Sequence, residues 1–271
     1  MNLGVLVVLD SVQIEEKIKQ VADYGFHFCQ LSCWNKEFFT DEVAESILEA
    51  CKKYDVKIST FWCGWSGPRV WNFYEGPLTL GLVPTEYRFE RMKDLICGSD
   101  FAKKLGVENI ATHVGFLPEV PNTEQYHAVV SAIRVVAEHC KNNGQYFLFE
   151  TGQETPVTLR RTIEDVGTGN LGINLDTANL ILYGKANPVD ALDVFGEYVR
   201  DVHAKDGLYP TDGKNLGKEV PIGQGKVNFP IFINKLKEIG YDGTLTIERE
   251  ILGDQQKKDI IESKKLLEEL L

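Results

Sequence analysis

The chain has 271 residues, 43% of them hydrophobic and 25% charged, with a formal net charge of -11. That length and composition suit one large globular domain or two small ones. The acidic balance argues against a duplex nucleic-acid binder, which needs a basic face, and no stretch is long and apolar enough to span a bilayer.

The opening MNLGVLVVLD has no basic flank and meets Asp10 early, so it reads as a first strand rather than a secretory signal. An amphipathic helix follows over SVQIEEKIKQVADYG, with Ser11 as the expected N-cap and Gly25 just past its end. HFCQLSCW is a second strand, DEVAESILEACKKYD a second helix and VKISTFWCGW a third strand. The segment SGPRVWNFYEGPLTLGLVPT, with Trp71, Phe73 and Tyr74, is a long irregular loop. A loop of that length in a compact domain is more often a lid or binding loop than a linker.

A third helix runs from about Glu86 to Leu105, and a fourth strand, ENIATHVGF, ends at His113. The fourth helix spans Thr123 to Cys140 and closes at Asn142-Asn143-Gly144. YFLFETG is the fifth strand, with a helix from Pro156 to Val166. LGINLDTAN is the sixth, with NPVDALDVFGEY as its helix. VRDVHAKDG is the seventh strand, followed by a second long loop, LYPTDGKNLGKEVPIGQGKV, and the helix NFPIFINKLKEIG. GTLTIEREI is the eighth strand and DQQKKDIIESKKLLEELL the closing helix.

Eight strand–helix units with no break in composition predict one α/β domain over residues 1–271, a single (β/α)8 TIM barrel. A doubly wound open sheet is the runner-up. The barrel is favoured because the chemically capable residues lie on strands far apart in sequence, and only closure brings four such strand ends together. The six cysteines (29, 33, 51, 63, 97 and 140) are scattered with no CxxC pair, which reads as reduced thiols in a cytoplasmic protein.

Four strands end in the same way. Asp176 follows Asn174 on the polar parity opposite Ile173 and Leu175, and Glu150 opposes Phe147 and Phe149. His203 opposes Val202 and Ala204, and Glu248 opposes Leu245 and Ile247. Two glutamates, one aspartate and one histidine at the C-terminal ends of barrel strands suit a hard or borderline divalent ion: manganese, magnesium, cobalt or zinc. Each alone reads equally well as a loop cap or ion-pair partner. Together they need a compensating ion or proton, because buried like charges repel.

His113 either binds substrate or is hydrogen-bonded beneath a loop. Lys205 and Asp206 either contact a substrate oxygen or make a loop salt bridge. Trp34, Trp62 and Trp65 either wall a sugar pocket or pack in the core. His27, His127 and His139 read as structural or surface residues.

FETG, NLDTAN, VHAKDG, PIGQGKVNF and GTLTIERE together resemble the sugar phosphate isomerase/epimerase superfamily, the xylose isomerase-like TIM barrels. That group contains ketose 3-epimerases, hydroxypyruvate isomerase, inosose dehydratase and metal-dependent apurinic endonucleases. The resemblance implies that Glu150, Asp176, His203 and Glu248 hold one divalent metal and that Glu150 and Glu248 exchange the substrate proton. Three departures stand out: Asn179 where many relatives have histidine, Gln224 where many have glutamate, and Gln30 in place of a strand-two glutamate. Glu250 shares the parity of Glu248 and is the alternative ligand.

The expected activity is a metal-dependent isomerase or epimerase of a small sugar-like polyhydroxy carbonyl compound, working through a cis-enediolate. His113, Asn179, Lys205 and Trp62 are the expected substrate contacts. The alternatives are a dehydratase on the same site, an abasic-site nuclease, which the five histidines and acidic balance disfavour, and a non-catalytic sugar-binding barrel. The closing helix and the aromatic loop are the surfaces through which a homo-oligomer would form.

Overall fold

The computed structural model describes residues 1–11 and 13–271. Eight parallel strands close into a barrel: β1 (Asn2–Val8), β2 (Phe28–Cys33), β3 (Lys57–Cys63), β4 (Asn109–Thr112), β5 (Tyr146–Glu150), β6 (Leu171–Asp176), β7 (Val199–Ala204) and, after a hairpin, β10 (Thr244–Ile247). β1 pairs with both β2 and β10, which closes the ring. The surrounding helices are α1 (Ile14–Asp23), α2 (Asp41–Tyr54), α4 (Thr85–Lys104), α5 (Glu124–Asn142), α6 (Pro156–Val166), α8 (Pro188–Phe195), α9 (Phe229–Glu238) and α10 (Asp254–Leu270). The short helices α3 (Gly76–Thr79) and α7 (Thr177–Leu182) and the hairpin β8 (Asp206–Leu208)–β9 (Lys218–Val220) lie in the connections after barrel strands.

Strand alternation sorts the side chains. Phe61, Ile110, Phe147, Ile173, Val202 and Leu245 are fully buried in one core with Ile47, Leu95, Ile133 and Leu159 of the helices. Each such side chain contributes about 1.5–3 kcal/mol on leaving water. The opposite parity fills the barrel. Trp62, Ala111 and Leu148 form a small apolar cluster of their own. Gln30, Thr60, Asn174, Asp201, His203 and Thr246 make a buried polar group in which Thr60 Oγ1 donates to Asp201 Oδ2 (2.6 Å). The apolar cluster lies on three adjacent strands, so the chemistry gathers on the others and on the strand ends.

The elements depart from expectation in four places. α1 starts at Ile14, and its N-cap is Gln13 with no side-chain cap bond, so Ser11 is not the cap. Glu15 and Glu16 in its first turn face the helix dipole instead; residue 12 of the expected helix lies outside the described residues. β4 ends at Thr112, one residue before His113. β6 ends at Asp176, because that carboxylate caps α7 by accepting from the Asn179 amide at 2.8 Å. The second long loop folds in part into the antiparallel β8–β9 hairpin.

Asp206 explains the glycine-rich stretch that follows. It is buried, and its carboxylate accepts from the amides of Gly207, Gly223, Gly225 and Val227 at 2.8–3.0 Å. A Cβ on Gly225 would sit 2.1 Å from Asp206 Oδ1, so only glycine admits this approach. Asp206 is therefore a loop anchor, and Gln224 points to solvent.

Candidate active site and metal centre

The four strand-end residues converge. One donor atom from each of Glu150, Asp176, His203 and Glu248 lies within 4.8 Å of the others. His203 Nδ1 is 3.1 Å from Glu248 Oε2, 3.2 Å from Glu150 Oε1 and 3.8 Å from Asp176 Oδ2. Glu250 is not in this group: it lies three residues past the end of β10, where strand parity no longer places it, and its carboxylate pairs with Lys205 at 3.1 Å. Lys205 is buried among carboxylates, 3.2 Å from Glu248 and 3.4 Å from Asp176.

The charges hold one another ionised. Burial pushes the Glu150 carboxyl up, but the His113 and His203 rings outweigh it and leave the group below its ordinary range. For Asp176 and Glu248 burial is likewise overcome, chiefly by the Lys205 ammonium. Burial disfavours a charged His203, yet Glu248 and Glu150 raise it well above the usual imidazole value.

The donors fit a divalent ion on an observation independent of their type. Asp176 is fully buried; Oδ1 caps α7, while Oδ2 has no hydrogen-bond partner. The Lys205 ammonium near it is shared with Glu248 and Glu250. A buried carboxylate oxygen left so calls for a cation.

Above the cluster is a cavity of about 440 Å³. Trp34, Trp62, Trp71, His113, Asn179 and Tyr183 are among its walls. Trp62 Nε1 donates to Glu150 Oε2, and Asn179 Nδ2 donates to Glu150 Oε1 at 3.4 Å. His113 Nε2 stands 3.5 Å from the same carboxylate, between the rings of Trp62 and Trp71. Lys205 lies beneath the cavity and reaches Asn179 Oδ1 at 3.5 Å.

Of the three tryptophans singled out, Trp65 is a core residue under the first long loop rather than a wall. Sequence reasoning missed Tyr183, which follows α7. His27 and His139 pair with Asp55 and Asp100 outside the site.

One neighbouring carboxyl does not join the cluster. Glu154 is buried, neither oxygen finds a hydrogen-bond partner, and burial pushes it up to about 8. Its folded value exceeds its unfolded one, so its contribution to stability is complete below about pH 4.5 and is lost as pH rises through 8. Glu154→Gln should therefore come close to the parent in thermal unfolding at pH 5 and exceed it at pH 9, by on the order of 4 kcal/mol. Equal stability at both pH values would refute the assignment.

A closed parallel barrel with its polar cluster at the C-terminal mouth is the arrangement in which α/β-barrel enzymes keep their active sites. The chain belongs to the xylose isomerase-like TIM barrel family, whose model matches residues 18–270. It is 36% identical to a xylose isomerase domain protein from Planctomyces limnophilus, with 99% of this chain and 96% of that one covered and a TM-score of 0.93. An uncharacterized protein from Methanocaldococcus jannaschii is 26% identical, over 100% of this chain and 89% of its own length. A D-tagatose 3-epimerase-like protein shares the fold, at 23% identity and a TM-score of 0.78, with 100% and 97% covered. Among the described residues no helix is long and apolar enough to cross a membrane.

Proposed function

We propose that the protein is a divalent-metal-dependent isomerase or epimerase of a small, uncharged polyhydroxy carbonyl compound. One observation carries the reading: donors from Glu150, Asp176, His203 and Glu248 lie within 4.8 Å of one another, and three of these residues line the cavity. Those four residues would hold the ion. Once bound, it would polarise the substrate carbonyl and acidify the adjacent C–H. Glu150 and Glu248 are the two bases: one takes the α proton, and the other delivers a proton to the resulting enediolate. Asn179, His113 and Trp62 orient Glu150, and Lys205 steadies Glu248.

Membership of a xylose isomerase-like family supports a sugar-type carbonyl substrate. The lining supports an uncharged one. Besides its histidines, the only cation among the described residues lining the cavity is Arg249, which is committed to Glu219 (2.8 Å) and Asp259 (2.7 Å). Glu150, Glu248 and Glu250 would repel a phosphate.

The test is deuterium incorporation in heavy water, read by mass spectrometry. Protein loaded in turn with magnesium, manganese, cobalt and zinc is offered ketoses, their phosphates and an inosose. We expect chelator-sensitive exchange with unphosphorylated members. Exchange that survives chelation removes the metal from the mechanism, and exchange confined to phosphates overturns the substrate class. Net loss of water would assign the site to a dehydratase.

A further inference from the structure

The two ring nitrogens of His203 face different surroundings. Nδ1 looks onto the carboxylates, 3.1 Å from Glu248 and 3.2 Å from Glu150. Nε2 lies 2.7 Å from Oε1 of Gln30. Gln30 is fully buried in β2, which is not adjacent to β7 in the barrel, so this contact crosses the interior. The amide nitrogen of Gln30 donates to Asn174 Oδ1 at 3.0 Å. That bond sets which end of the amide faces the imidazole.

An amide oxygen carries no proton, so the 2.7 Å contact requires the imidazole to donate from Nε2. The Asn174 amino group, 3.1 Å from Nε2, could donate only to an unprotonated Nε2, and the shorter Gln30 contact outweighs it. A neutral ring protonated on Nε2 leaves the Nδ1 lone pair directed at the carboxylates, as a metal ligand requires.

We propose that Gln30 is the positioning residue of the metal centre, fixing the orientation and tautomer of His203 so that Nδ1 is the ligand atom. This rests on the metal reading above. Gln30 touches neither ion nor substrate. It acts through His203, and Asn174 holds the Gln30 amide by accepting from its nitrogen. A glutamine does this without adding a further negative charge to a site that already holds three clustered carboxylates. Partners of this kind on ligating histidines typically affect metal affinity by about 10–100-fold.

The test uses the full chain and manganese alone, with affinity read by calorimetry. Gln30→Met keeps the length and loses the acceptor, whereas Gln30→Glu keeps the acceptor. We expect Gln30→Met to bind manganese about 10–100-fold more weakly and Gln30→Glu to stay within a few-fold of the parent. Nitrogen-15 histidine spectra of the zinc-loaded parent should show His203 protonated on Nε2 and ligated through Nδ1. They need no variant to fold, and thermal unfolding of the chelated variants separates folding defects from binding defects. Parent-like affinity in Gln30→Met, or a parent His203 protonated on Nδ1, overturns the role of Gln30 alone. A parent that binds no divalent ion overturns the metal reading, and this inference with it.

Discussion

Replacing Glu150 or Glu248 by glutamine is expected to lower epimerisation by about 10²–10⁴-fold while leaving half of the chemistry visible. With a base on each face of the α carbon, removing one base blocks inversion in both directions. The remaining base still removes and returns the proton on its own face. Each variant should thus exchange deuterium into one epimer without converting it, and the two variants should choose opposite epimers. Glutamine keeps an oxygen donor for the ion, so the assay is run at saturating metal with bound metal measured in parallel. The two carboxylates are placed for separate roles. Both Glu150 oxygens are engaged, Oε2 by Trp62 and Oε1 by Asn179, whereas Glu248 is held by Lys205 and His203. If one variant were inert with both epimers and the other fully active, a single-base mechanism would replace the pair.

The four strand-end residues were legible because a barrel strand alternates, and an acid or histidine on the inward parity at a C-terminal end reaches the mouth whatever its neighbours. The same logic fails three residues past a strand, which is why Glu250 shared a parity with Glu248 in sequence and not in space. α7 was hidden because all six of its residues are buried, so Thr177–Leu182 has no polar face and no helical period to read. Gln30 showed the inward parity, but its partner is 173 positions away, and nothing local names it. Asp206, beside Lys205, read equally as a substrate contact or a loop salt-bridge partner. Its four backbone donors lie one and seventeen to twenty-one residues on, in a loop whose glycines were visible but whose anchor was not.

Arg91→Met is expected to destabilise the protein by about 3–5 kcal/mol and to loosen the first long loop. Arg91 is fully buried in α4. Its guanidinium donates to the carbonyls of Ser66 (3.0 Å), Pro68 (2.8 Å) and Gly81 (2.7 Å), gripping both ends of the loop that carries Trp71. It also lies over the rings of Trp65 and Tyr87, 4.0 and 4.7 Å from their centroids. Burial pulls its pKa down to about 10, which still leaves it charged at neutral pH. Hydrogen bonds to a charged group contribute about 1.5–3 kcal/mol each, and a buried carbonyl left unpaired costs about 1–3 kcal/mol. Water reaching the freed loop offsets part of the sum, so the net loss falls below the total of three such bonds. For a chain of this size that lowers Tm by about 5–9 °C. Trp71 packs against His113 in the cavity wall, so KM should rise more than kcat falls, and limited proteolysis should cut within residues 66–84. Arg91→Lys keeps the charge but cannot span three diverging carbonyls, and it should recover only part of the loss. An unchanged Tm with an uncut loop in Arg91→Met would show that the loop is held by its own packing.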